Sequence, residues 1–219
     1  MNQEKKSLNV PYIPELDSLN LEQVASILDE KGVRRTVDCL NWKDQYPYHP
    51  LTAFSIAHSD TCIYIDFFVR CNYLRAVNYK NNSDVYQDSC VEFFVAPEGI
   101  APYYNFEFNC IGTIHAAKRM DRHSGQLLSD EQLNTVRRLA SCGTRPFNEL
   151  EGMFSWNLVV AIPLNLIGVK YEGKPITLHG NFYKCADATS DPHYLSWSPI
   201  DTPNPDFHRP EFFGNITLE

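Results

Sequence analysis

The chain has 219 residues, and aromatic side chains make up 13% of them, a composition that suits one domain with a sizeable buried core. The formal net charge is −8, from 19 basic and 27 acidic side chains with no basic stripe, which argues against a nucleic acid or an anionic membrane as partner. No apolar run approaches the ~20 residues needed to cross a bilayer.

The first 19 residues are polar and punctuated by proline, and we expect them to wrap over the surface. The next stretch predicts a helix that ends at Gly32 and that Asn20 can cap. Its apolar residues recur at the spacing of one helical face, at Leu21, Val24, Ala25 and Leu28. This helix is predicted to cover an edge of the domain.

Short runs rich in β-branched and aromatic residues follow, separated by turn clusters. They predict strands near 34–41, 52–58, 61–71, 90–96, 103–111, 156–162, 176–187, 193–197 and 215–219. Residues 118–152 lack this pattern and are charged, so we expect a long excursion with a short helix around 130–138.

The fold class predicted from these elements is all-β. We expect a distorted antiparallel β-sandwich, immunoglobulin-like or jelly-roll-like, with one N-terminal helix and a partly helical insertion. Residues 1–33 would form an extension and helix packed on the domain, and residues 34–219 the sandwich itself, giving one domain overall.

Alternation in two strands separates an apolar face from a polar one. In the strand near 103–111 the polar face carries Asn105, Glu107 and Asn109. Such a row is commonly solvated, but it could also hydrogen-bond hydroxyl groups. In the strand near 90–96, Glu92 points away from the apolar face, where it could pair with a cation such as Arg70 or Lys184.

The cysteines and the amino-terminal segment indicate in which cellular compartment the protein is expected. Seven cysteines, an odd number without a CxxC pair, predict buried and reduced thiols: Cys39, Cys62, Cys71, Cys90, Cys110, Cys142 and Cys185. No signal-peptide pattern is present, so the chain as written is predicted to be cytoplasmic. It would be periplasmic or secreted if a leader segment preceded residue 1.

No motif predicts catalysis or a cofactor. A glycoside hydrolase needs two carboxyl groups roughly 5 to 9.5 Å apart across a cleft. Such a pair could come from Glu92, Glu107, Asp88 and Glu211. A structural calcium ion is the remaining option, because sandwich loops often bind it through carboxylates. The acids to consider are Asp187, Asp191 and Asp201.

Six segments, taken in order, resemble the family 9 carbohydrate-binding modules, most closely the stand-alone branch of bacterial sugar-degrading gene sets. These segments are NWKDQYPYHP (41–50), VYQDSCVEFFVAP (85–97), YYNFEFNCIG (103–112), GNFYKC (180–185), HYLSWSPI (193–200) and PDFHRPEFFG (205–214). The resemblance implies a β-sandwich that binds a mono- or oligosaccharide without catalysis. It also implies a role in carbohydrate catabolism, in association with glycoside hydrolases. In the best-known members, two aromatic rings hold the reducing end of a chain.

Carried over residue by residue, the two rings fall on Tyr86 and Phe207, both smaller than the tryptophan typical of the family. Glu92 and Asn204 match polar sugar contacts. From the polar strand face and the terminal loop we add three further candidates, Glu107, Asn109 and Arg209.

The other aromatic residues of these segments are expected in the core. Phe212 and Phe213 would anchor the terminal loop, and Trp42, Trp156 and Trp197 would pack inside. The alternatives to sugar binding are an enzyme that uses Glu92 or Glu107, and an interaction module that has kept the fold and lost the sugar site.

Overall fold

Two mainly antiparallel sheets stack face to face in the computed structural model, which describes residues 5–219. The large sheet has the order β1 (Ser7–Val10), β13 (Gly214–Leu218), β11 (Ile176–Cys185), β5 (Cys90–Ala96), β6 (Tyr103–Asn109), β7 (Ile114–Arg119) and β8 (Gly125–Leu127), and β12 (Tyr194–Ser196) pairs with the end of β11. The small sheet has the order β2 (Val33–Thr36), β3 (Leu51–His58), β4 (Cys62–Ala76), β10 (Phe147–Pro163) and β9 (Arg137–Ala140). The predicted all-β sandwich is confirmed.

The core lies between the sheets and is rich in aromatic rings. Phe182 of the large sheet stacks on Phe54 of the small sheet with ring centroids 3.8 Å apart, and on Phe93 at 4.8 Å. Trp197 meets the same phenylalanine edge-on at 5.8 Å. Trp42, Trp156 and Trp197 are all buried, as predicted.

Helix α1 (Leu21–Lys31) covers the outer face of the small sheet. Asn20 caps it in a reciprocal capping box with Gln23, which satisfies two free backbone N–H groups at the helix start. Leu21, Val24 and Leu28 are buried against side chains of that sheet. The predicted helix and cap are therefore confirmed.

Two segments differ from the prediction. Residues 7–10 do not wrap over the surface: β1 pairs in parallel with β13, and Leu8 and Val10 are buried in the core. The charged stretch 118–152 contains β8, β9 and the exposed first half of β10, besides α2 (Asp130–Thr135). Strands at an exposed edge have no clear apolar period, which is why the sequence pattern missed them.

The outer face of the large sheet, which points away from the small sheet, is covered by loops. Phe94, Tyr103 and Tyr183 lie on this face and pack with Phe213 of the terminal loop in a second apolar cluster. The polar row Asn105, Glu107 and Asn109 is consequently buried, and the expectation of a solvated face is wrong.

Candidate functional site

A cavity of about 420 Å³ opens on the outer face of the large sheet, where the covering loops leave a gap. We call it the Tyr86 cavity. Its lining consists of sheet residues at the floor and loop residues at the walls: Tyr86, Glu92, Phe94, Glu107, Arg122, Cys185, Asp187, Tyr194, Pro205, Asp206, Phe207 and His208.

Two glutamates form the polar part of the floor. Glu92 and Glu107 are directly opposite each other in the β5–β6 pairing, and they are 2% and 5% exposed. Alternation puts them there, because Val91 and Phe93 point into the core on either side of Glu92. The Cys185 thiol donates to Glu92 Oε1 at 3.1 Å, and the Asn105 amide donates to Glu107 Oε1 at 2.9 Å.

Neither glutamate forms an ion pair in the part of the chain that the structure describes. Burial raises the pKa of both carboxyl groups, and the adjacent Glu107 raises that of Glu92 further. Both carboxyl groups therefore keep their protons to a higher pH than exposed glutamates do. A carboxyl group donates a hydrogen bond when protonated and accepts hydrogen bonds when ionised.

The cationic partners expected for Glu92 lie elsewhere. Lys184 is opposite Val91 in the strand register, so its side chain enters the core face. There its amine donates to the Cys185 carbonyl at 2.6 Å and meets His193 Nε2 at 2.8 Å. Arg70 contacts the Met153 sulfur instead.

The two predicted rings both line the cavity, but they differ in exposure. Tyr86, on the 3-10 turn Val85–Gln87, is 39% exposed, whereas Phe207 is 9% exposed. The Phe207 ring stacks on Tyr183 with centroids 4.2 Å apart and planes at 7°, and it packs edge-on against Tyr194 at 6.1 Å. These contacts bury most of the Phe207 ring, so Tyr86 offers the larger aromatic surface to a ligand.

Sequence reasoning did not find Tyr194 or Arg122, and it named Asp187 only as a possible calcium ligand. Tyr194 is half-buried, and burial raises the pKa of Asp187 beside it to about 6. The backbone N–H of Asp187 donates to the Tyr86 carbonyl at 3.1 Å, which joins two walls of the cavity. Arg122 forms an ion pair with Asp206 at 2.9 Å.

Side chains of the large sheet hold the terminal loop over the cavity. The Tyr183 hydroxyl donates to the Phe207 carbonyl at 3.1 Å, and the Tyr103 hydroxyl lies 2.9 Å from His208 Nδ1. Burial and the nearby Arg119 and Arg122 lower the pKa of His208 to about 3, so the ring is neutral. Phe212 and Phe213 pack into the apolar cluster beneath the loop, as predicted.

Three of the seven predicted site residues do not line the cavity. Asn204 is exposed, and its carbonyl accepts a hydrogen bond from Thr202. Arg209 pairs with Glu211 and lies over the Phe212 ring. The Asn109 amide donates to Asp88 at 2.9 Å and to the Asn78 carbonyl at 2.7 Å, so its bonds are used within the protein.

The three acids considered for calcium are also separated. Asp187 lines the Tyr86 cavity, Asp201 lines a neighbouring groove beside Trp42, and the Asp191 carbonyl accepts from His193. Within residues 5–219, the one group of three side chains placed to share a metal ion is Cys90, Glu92 and Cys185. The geometry thus gives the calcium hypothesis no support.

Similarity to known proteins shows which family this chain belongs to. The model of carbohydrate-binding family 9 matches residues 22–218. The chain belongs to carbohydrate-binding family 9. No curated protein sequence matches it. This family membership confirms the resemblance seen in the six sequence segments.

Solved structures agree with this assignment. A candidate carbohydrate-binding protein from Bacteroides uniformis is 40% identical and has a TM-score of 0.93, and the match covers 99% of this chain and 100% of that one. A family 9 module from Caldicellulosiruptor kristjanssonii in complex with glucose is 15% identical with a TM-score of 0.60, covering 98% of this chain and 96% of that one. The same organism's module with cellotriose is 14% identical with a TM-score of 0.60, covering 98% and 94%. The last two show a shared fold.

Proposed function

We propose that this family 9 protein binds a carbohydrate in the Tyr86 cavity and does not turn it over. The observation that carries the proposal is the meeting, in one cavity, of an exposed aromatic ring with two buried carboxyl groups. A pyranose presents flat C–H patches that stack on an aromatic face, and a rim of hydroxyl groups that need polar partners.

The size and polarity of the cavity favour a mono- or short oligosaccharide. Its volume of about 420 Å³ falls in the range of small-ligand pockets. The floor carboxyls of Glu92 and Glu107 would hydrogen-bond ligand hydroxyls, with Asp187 as a further acceptor at the wall. Glucose and cellotriose head the ligands to test, because they were bound to the Caldicellulosiruptor module.

Arrangement of the carboxyl groups disfavours the enzyme alternative. A glycosidase places its two carboxyls on opposite sides of the scissile bond. Glu92 and Glu107 instead lie side by side on adjacent strands of one floor. We therefore infer a binding role, and family membership favours a place in carbohydrate catabolism.

Calorimetric titration with glucose, cellotriose and a panel of mono- and disaccharides tests the proposal. We expect Glu92→Gln to weaken binding by roughly ten- to a hundredfold, because a hydrogen bond to a charged group contributes ~1.5 to 3 kcal/mol. Arg209→Ala is the control, since Arg209 lies in the terminal loop that covers the cavity but does not line the cavity itself. Its affinity should equal that of the wild type.

Two results would overturn the proposal. The first is the absence of binding to every sugar in the panel. The second is release of product from an oligosaccharide by the wild-type protein, with loss of that release in Glu107→Gln, which would establish the enzyme reading.

A further inference from the structure

Three side chains with metal-ligating atoms meet beside the Tyr86 cavity, and two of them, Glu92 and Cys185, line it. The Cys90 and Cys185 sulfurs and a Glu92 carboxyl oxygen all lie within 4.8 Å of one another, and all three residues are buried. Strand pairing explains the meeting: Cys90 and Cys185 are directly opposite across β5 and β11. Glu92 follows Cys90 by two residues and so shares its face of the sheet.

The spacing of the three atoms matches a tetrahedral thiolate site. Zinc–sulfur bonds of about 2.3 Å and zinc–oxygen bonds of about 2.0 Å place sulfur and oxygen ligands about 3.5 Å apart around one ion. The Glu92 Oε1 atom lies 3.1 Å from the Cys185 sulfur and 3.8 Å from the Cys90 sulfur. Shifts of a few tenths of an ångström would bring both distances to that value.

The local charge also fits a dication. Buried carboxylates are ordinarily paired with a cation or bound to a metal, and Glu92 has no cation beside it among the described residues. Its neighbours on one side are two thiols, and on the other Glu107. A divalent ion would compensate the charge of the carboxylate and two thiolates, and Glu92 forms no ion pair with any described residue that would do so.

We propose that Cys90, Glu92 and Cys185 form a binding site for a thiophilic divalent cation, zinc in the first place. The thiols exclude calcium and magnesium, which take oxygen ligands. On binding, each thiol loses its proton to solvent and each sulfur becomes a thiolate ligand, so affinity rises with pH. Cys185 and Glu92 both line the cavity, which leaves the fourth position to water or to a hydroxyl group that enters from it. The site does not depend on the proposed carbohydrate function.

Cobalt(II) titration of the reduced, chelator-treated full-length protein tests the site, in the absence of any sugar. Two thiolate ligands should give an intense thiolate-to-cobalt charge-transfer absorption together with the visible bands of tetrahedral cobalt. Zinc should displace the cobalt and abolish both signals. Elemental analysis after dialysis against zinc should find about one zinc per chain.

Variants assign the ligands. Cys90→Ala and Cys185→Ala should each reduce the charge-transfer signal and weaken zinc binding by at least tenfold, and Glu92→Gln should weaken zinc binding while both sulfur ligands remain. The matched control is Cys142→Ala, which removes a half-buried thiol outside the cluster and should change nothing. Circular dichroism checks that each variant is folded. If a cysteine variant does not fold, Glu92→Gln still tests the site, because glutamine has nearly the same shape as glutamate.

The inference is wrong if the reduced wild-type protein takes up no stoichiometric zinc. It is equally wrong if uptake is the same in Cys90→Ala, Cys185→Ala and the wild type, or if it disappears only in Cys142→Ala. Because no sugar is present in these titrations, their failure leaves the proposed carbohydrate binding untouched, and the reverse also holds.

Discussion

Replacing Phe207 by alanine tests whether its ring mainly stabilises the fold or mainly contacts the ligand. The side chain is 9% exposed, and its ring is stacked on Tyr183 at 4.2 Å. Phenylalanine-to-alanine changes in a core cost about 3 to 5 kcal/mol. We expect about 3 kcal/mol here, since the terminal loop can settle partly into the space. For a domain of this size that lowers Tm by about 6 to 12 °C.

Tyr86→Ala is the matched variant, because Tyr86 lines the same cavity but is 39% exposed. Its loss should cost less than ~1 kcal/mol of unfolding free energy. Its affinity for the identified sugar should fall about fivefold, since aromatic stacking contributes on the order of 1 kcal/mol.

Thermal unfolding followed by circular dichroism measures the first quantity, and calorimetric titration well below both melting temperatures measures the second. The reasoning is refuted if Phe207→Ala keeps the wild-type Tm while losing more affinity than Tyr86→Ala. That outcome would make Phe207 the principal ligand-facing ring, as the family resemblance alone implies.

Two further predictions concern buried carboxyl groups. The folded protein retains protons on Glu92 and Glu107 that the unfolded chain releases above its ordinary pKa of 4.5, because burial raises both folded pKa values. The free energy of unfolding should therefore fall as the pH rises beyond about 4.5. Urea unfolding at several pH values measures this fall, which should be shallower in Glu92→Gln than in the wild type. The same dependence on pH in both proteins would contradict the raised pKa of Glu92. Asp88→Asn should cost ~2 to 3 kcal/mol, because the Asp88 carboxylate accepts from the Val77 and Asn78 backbone N–H groups and contacts Arg75. Sugar affinity should stay the same in this variant, and a selective loss of affinity would contradict a purely structural role.

Much of the fold follows from local patterns. Alternation in β5 and β6 is enough to place Glu92 and Glu107 on one face, and the Asn20 cap predicts the start of α1. Strand β1 is beyond such reasoning, because its four residues form a strand only by pairing with β13, more than 200 residues later in the chain. Alternation also cannot show whether a polar face is solvated. The irregular loops that bury Asn105 and Asn109 have no periodic pattern.

The site is harder to predict than the fold for a related reason. Tyr86 and Glu92 are close in sequence, but Asp187 and Tyr194 come from distant segments that meet them only through the pairing of β11 with β5 and β12. Arg122 lies in the turn between β7 and β8, which the β5–β6 and β6–β7 pairings bring to the same side. Alternation in GNFYKC does put Tyr183 and Cys185 on one face. Only the β5–β11 register shows that Glu92 shares that face, where the thiols of Cys90 and Cys185 approach its carboxyl group.

The position of a bound sugar is the most direct test of the proposed function, and a crystal structure of the protein with glucose or cellotriose would supply it. We expect one pyranose ring in the Tyr86 cavity, in contact with the Tyr86 ring and hydrogen-bonded to Glu92 or Glu107. A sugar bound elsewhere would contradict this assignment, for example in the groove beside Arg34 and Asp66 on the small sheet with the Tyr86 cavity left unoccupied.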